Sequence, residues 1–202
     1  MHDALEAIFD AERSLRSAEV RLLADPGVRD VLRAAVDEAL GMSDEAEAAL
    51  RLERLADLCA QVTGPEMADT MIAILGSEIP SVRVAVGEAL LDVAYDYYAE
   101  VARAIDRALD DGTNVRALEE LPFLLAEVGE PGAAKQLRRF LAHADARVAA
   151  AAIEAATEVG LVDLNDALFE LTDDERDVTL EDLDETMTLG ELAQQALREL
   201  DR

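Results

Sequence analysis

Tryptophan is absent from this 202-residue chain, which has four phenylalanines, three tyrosines, one cysteine and two histidines. The sole lysine is Lys135. Each shortage excludes something. With Cys59 alone, no disulfide can form within the chain. One thiol and the imidazoles of His2 and His143 are too few for a zinc site built from sulfur and nitrogen ligands. No glycine-rich phosphate loop of the nucleotide-binding kinds is present, and the acidic run 173–185 lacks the spaced ligands and glycine of a calcium loop. No apolar run reaches the ~18 residues of a membrane span. The first fifteen residues, MHDALEAIFDAERSL, carry acids where a signal peptide carries cations, so the cytoplasm is the expected compartment. Basic residues number 18 against 45 acidic ones, for a net charge of −27. Phosphate backbones and anionic lipid surfaces both need a basic footprint that such a chain lacks. Neither metal nor cofactor is expected, and direct nucleic-acid binding and membrane binding are disfavoured.

What is present is aliphatic. Apolar residues make up 51% and charged ones 31%, a folding composition for one domain with a core of Leu, Val, Ile and Ala. Three readings fit the acidity: salt adaptation, steering of a basic protein partner, or imitation of a nucleic acid.

Self-comparison reveals organisation. Residues 58–94 laid over 124–160 without a gap put Val62 on Val128, Pro65 on Pro131, Leu75 on Leu141, Val82 on Val148 and Ala89 on Ala155. Half that shift puts Val82-Arg83 on Val115-Arg116, and Val115 on Val148. A period near 33 residues with a pair of helices per unit is the mark of a helical repeat. Helices are expected over 3–23, 27–40, 43–62, 65–75, 81–95, 97–110, 113–128, 131–144, 145–160 and 163–172, with a last one opening at Thr188. Pro131 is placed at a helix start, and Pro122 is expected to kink or divide its helix. Residues 1–42 read as N-terminal capping helices, 43–172 as repeats, 173–187 as a mobile or loosely docked acidic connector, and 188–202 as a terminal helix. No strand signal is evident. The stretch DARVAAAAIEAATEVG, too thin for a surface helix, makes sense between close neighbours, where small side chains let helices approach.

The segment AEVGEPGAAKQLRRFLAHADARVAAAAIEAATEVG resembles HEAT-like repeats of the short bacterial type also seen in phycobilisome lyases. Gly129, Pro131, Leu137, Leu141, Asp145, Arg147, Val148, Ala152 and Ala155 match that pattern, as do Pro65, Leu75, Val82, Arg83 and Ala89 in the earlier copy. The resemblance spans about residues 45–172. It implies an all-α fold, an α-α superhelix (solenoid) whose second helices line a concave face and bind proteins.

On those second helices Glu88, Asp92, Glu120, Glu127, Glu154 and Glu158 compose a candidate acidic stripe for a basic partner, against the plainer reading of a solvated face. Tyr95 and Tyr98 are either interaction anchors or gap fillers at a helix junction. Arg83 and Arg116 fit best as ties between repeats, Cys59 as a core residue, and His143 as a charge at a helix end. No catalytic group emerges. A non-catalytic adaptor is the expectation, with a phycobilin lyase-like enzyme or accessory and a nucleic-acid mimic as alternatives.

Overall fold

Asp44, Asn114, Asp145 and Thr188 each turn a side-chain oxygen onto a backbone N–H of the following first turn, at 3.2, 3.2, 2.9 and 3.1 Å, and a helix follows each. Such caps satisfy donors that a helix start leaves orphaned. Pro65 and Pro80 begin two more helices, where no donor is needed. The computed structural model describes residues 2–62, 64–180 and 185–201. Among them lie α1 (His2–Leu23), α2 (Val28–Leu40), α3 (Glu45–Ala60), α4 (Pro65–Leu75), α5 (Pro80–Asp111), α6 (Val115–Val128), α7 (Ala133–Leu141) and α8 (Ala146–Glu158). A 3-10 turn (Val162–Leu164), α9 (Asn165–Glu170), strands β1 (Asp177–Leu180) and β2 (Glu185–Thr188), and α10 (Leu189–Leu200) complete the order.

Successive pairs are α2 with α3, α4 with the first half of α5, its second half with α6, and α7 with α8. The second members pack in series, α3 on α5, α5 on α6 and α6 on α8, and α10 closes the end against α8. The chain is an all-α helical repeat, a stack of helix pairs with one continuous aliphatic core. Val82 and Val148 are fully buried and Val115 partly so, near the start of consecutive second helices. The alanines of α8 now have their reason. That helix touches α6, α7, α10 and β1, and Ala149, Ala150, Ala151, Ala152, Ala155 and Ala156 are all buried with Val148 and Ile153. A helix surrounded on so many sides needs slim side chains wherever a neighbour's backbone draws near.

Four expectations change. The acidic connector holds an antiparallel hairpin, with Val178 opposite Met187 and Thr179 opposite Thr186; residues 181–184 of it lie outside the described residues. Val178 buries in the core and Met187, its cross-strand partner, packs against it, so the acidic segment is anchored by apolar groups. Pro122 does not divide its helix: α6 runs through it, and Pro122 is buried beside Leu118, Leu121 and Leu125. Packing on that face outweighs one missing backbone bond. Pro131 sits in a turn closed by the Ala133 N–H on the Glu130 carbonyl at 2.8 Å, two residues before α7 begins. Finally, α1 covers little of the stack. Its last turn reaches the body through Leu22, Leu23 and a Glu19–Arg54 ion pair, while residues 3–18 are exposed.

The two helices expected at 81–95 and 97–110 are both present, running together as α5 without a loop and divided by a kink. Tyr97 leaves the helical region (φ −135°, ψ 42°) while the chain continues through it. The C-terminal end is tied back by Arg176, whose guanidinium donates to the His143 and Ala144 carbonyls at 2.8 Å each and grips Asp174 at 2.6 Å. Gly190 fits beneath this clamp because a Cβ there would come within 2.6 Å of the Thr172 carbonyl oxygen.

Ala152→Leu should therefore overpack the centre of α8 and cost about 1–3 kcal/mol in chemical denaturation, whereas Ala142→Leu, at an exposed position, should cost little. Arg176→Ala strands two carbonyls and a carboxylate, and should destabilise the chain by about 1–3 kcal/mol. The Arg176 guanidinium holds the Asp174 carboxyl below its ordinary range, against a smaller opposing effect of desolvation. The stability this contributes is present above the unfolded value of about 4 and is lost as pH falls through the lower folded value. Below pH ~4, Asp174→Asn should flatten the dependence of unfolding free energy on pH.

A candidate groove on the second-helix face

Where the second helices of three pairs meet, their side chains leave a cleft of about 440 Å³. Val84, Gly87 and Leu91 come from α5, Phe123, Leu124 and Ala126 from α6, Val159 from the end of α8, and Leu75 closes the base. Three of these are large apolar groups left open to solvent: Val84 is 62% exposed, Val159 42% and Phe123 36%. Gly87 keeps the α5 wall low, its missing side chain leaving only the Leu75 methyl at 4.0 Å from where a Cβ would stand. Glu120, Glu127 and Glu158 stand among the walls.

The cation lining the groove is Arg83, and it is already committed. Its Nε donates to Glu120 Oε1 at 3.0 Å, and its terminal nitrogen donates to the Ser77 and Glu78 carbonyls at 3.0 and 3.3 Å. Arg83 therefore ties the turn before α5 to α6. Arg116 does the same in reverse, reaching Glu78 at 2.9 Å. These are the between-repeat ties that the Val-Arg pattern favours. The first-helix side carries a parallel series: Arg107 on Asp69 at 2.8 Å, Arg139 on Asp106 at 2.6 Å and Asp110 at 2.5 Å, and Arg138 on Asp166 at 3.1 Å. Much of the chain's small supply of cations is thus consumed in holding neighbours together. Glu127 and Glu158 make no ion pair among the described residues.

The predicted acidic stripe is divided by the structure. Glu120, Glu127 and Glu158 gather at the groove; Glu88, one turn on from Val84, is exposed beside its α5 wall; Asp92 is exposed farther along. Glu154 lies half-buried and has a partner of its own. Of the tyrosines, Tyr95 is exposed at the bend of α5, whereas Tyr98 turns inward. The Tyr98 hydroxyl donates to Gln136 Oε1 at 3.1 Å, and Gln136 in turn donates to the Ala102 carbonyl at 2.7 Å. Burial, with Glu130 and Asp106 nearby, pushes the Tyr98 hydroxyl above its ordinary pKa. It braces α5 against α7. Sequence reasoning missed the apolar residues Val84, Phe123 and Val159, although their places off the core stripes of their helices carried the signal.

Little chemistry is available here. Cys59 is buried, and desolvation pushes its thiol up to about 11, far from a reactive thiolate. His143 Nδ1 accepts the Asp145 N–H at 3.1 Å, and the ring shapes the α7–α8 turn. Among the described residues no three His, Cys, Asp or Glu side chains are gathered to hold a metal ion, and no helix is long and apolar enough to cross a membrane.

No family model matches the chain, and no curated protein does. Solved structures do match, two of them as follows. A crystal structure of an engineered protein aligns over 91% of this chain and 95% of its own at 16% identity and a TM-score of 0.34. A designed armadillo repeat protein aligns over 91% and 98% at 18% identity and 0.33. At these scores the fold rests on the helix stacking described above and not on the likeness.

Tyr98→Phe removes the donor to Gln136 and should lower stability by about 0.5–1.5 kcal/mol. Tyr95→Phe, with its hydroxyl in water, should leave the unfolding midpoint unchanged.

Proposed function

We propose that the chain is a non-catalytic adaptor of the HEAT-like kind, and that it docks a basic, amphipathic helical segment of a partner protein in the groove of the second-helix face. The observation that carries this reading is the pairing of an exposed apolar floor, Val84, Phe123 and Val159, with the uncompensated carboxylates Glu127 and Glu158 at its walls. A partner helix can lay apolar anchors at three- and four-residue steps onto such a floor and turn Lys or Arg towards the rim.

Magnitudes divide the labour. Burying an exposed Val or Phe contributes about 1.5–3 kcal/mol, while an exposed ion pair adds about 0.2–1 kcal/mol. The floor supplies affinity; the carboxylates supply selection and speed, drawing cations from a distance. A stack pinned by arginine ties loses little conformational freedom on docking. The acidity of the whole surface serves the same end by repelling acidic competitors.

A fluorescent helical peptide of leucine and lysine, with leucines along one face, tests this by anisotropy. Val84→Asp and Phe123→Ala should each weaken its binding at least about tenfold. Glu127→Gln with Glu158→Gln should slow association and blunt its salt dependence, with dissociation nearly unchanged. Equal binding by wild type and the Val84→Asp variant would dispose of the groove as the site. A peptide with its lysines replaced by glutamate should not bind.

A further inference from the structure

The repeat that organises this chain is interrupted at one apolar position, and the interruption lies in the groove. The overlay of residues 58–94 on 124–160 sets Val84 on Ala150, Gly87 on Ile153 and Leu91 on Thr157. In α8 that face is closed: Ile153 and Ala150 are buried, and α6, α7, α10 and β1 all pack on that helix. In α5 the same face stands open as the groove wall, with Val84 exposed and a glycine in the place of the isoleucine. Local structure does not ask for that glycine. Gly87 lies in the helical part of α5, before the bend at Tyr97, and its φ is not positive. A Cβ there would meet only the Leu75 methyl, at 4.0 Å, an ordinary contact. Glycine inside a helix loses more conformational freedom on folding than alanine does and supports the helix less. The position gives up stability for empty space, a trade expected where a site must receive something.

We propose that Gly87 is the specificity-determining residue of the groove: one large aliphatic side chain of the partner, leucine or isoleucine in size, seats over it and supplies the group that Ile153 supplies in its own repeat. This rests on the groove reading above and names the anchor within it. Around Gly87 stand Leu75 at the base, Leu91 one turn on in α5, and Leu124 from α6. All are aliphatic, so a polar side chain seated there would leave its donors and acceptors unmet. Glu127 and Glu158 are exposed on the groove walls and select basic residues on either side of the anchor. A second copy of this chain is a poor occupant, since its net charge of −27 opposes those carboxylates.

The test uses the full chain and a short lysine-rich helical peptide with leucines at positions i, i+4 and i+7, read by fluorescence anisotropy. Replacing those leucines one at a time by alanine should give unequal losses, with one leucine alone costing at least about tenfold. Gly87→Leu puts the chain's own side chain in the seat. Its thermal unfolding midpoint should be no lower than that of wild type, and binding should fall at least about tenfold. The peptide without its anchor leucine should bind that variant as well as the parent peptide does. Gly87→Ala should raise the midpoint and weaken binding by a smaller factor. Binding by Gly87→Leu as tight as by wild type, with Val84→Asp still abolishing it, would overturn the seat and leave the groove in place. Equal binding by wild type, Gly87→Leu and Val84→Asp would remove groove and seat together. Three leucines of equal weight would also overturn the proposal. Should leucine at this position unfold the chain, Gly87→Ala decides, and a raised midpoint with unchanged affinity overturns the seat.

Discussion

Close approach between neighbouring helices governs this molecule, and alanine is what permits it. In α8 almost every inward position is Ala, with Val148 and Ile153 filling the wider gaps, and four elements crowd around it. Dispersion between close-packed atoms is small per contact and large in sum. A chain with 3% aromatics has few bulky side chains to fill space and must bring backbones together instead. The stack, its pitch and the placing of the groove all follow from which faces can touch at that distance.

Charge is organised around the same seams. Arginine rather than lysine fills nearly every basic position, and its planar fork can grip a carboxylate and a carbonyl at once. Arg83 does so between α5 and α6, Arg176 does so between the hairpin and the α7–α8 turn, and Arg107 holds Asp69 with two nitrogens. Because these cations lie between repeats, Glu127 and Glu158 of the groove are left without counterparts. The same economy that fastens the stack creates its acidic face.

Much of the architecture was legible in sequence because it is written in local signals. Asp145, Asn114 and Thr188 announce helix starts; Gly112 and Gly129, both at φ 64°, announce helix ends. The hairpin was not legible. DVTL and ETMT hold only two β-branched residues each in four positions, inside a run whose acids suggest solvent. Pro122 misled because its cost is local while the packing that offsets it is not. Of the site, the acids could be listed but not sorted: Glu127 and Glu154 are alike in sequence, and only the phase of α6 and α8 within the stack puts one near the groove and half-buries the other. Tyr98 depends on Gln136, 38 residues away.

The bend at Tyr97 has a further consequence. Because α5 passes from one repeat to the next through a single distorted residue, no slack exists there to take up an insertion or deletion. One residue more would rotate everything beyond it by about 100° and swing Val101, Ala104 and Ile105 from the interior towards water. Changes of length can be absorbed in the loops around Gly112 and Gly129, but at this junction helical phase forbids them.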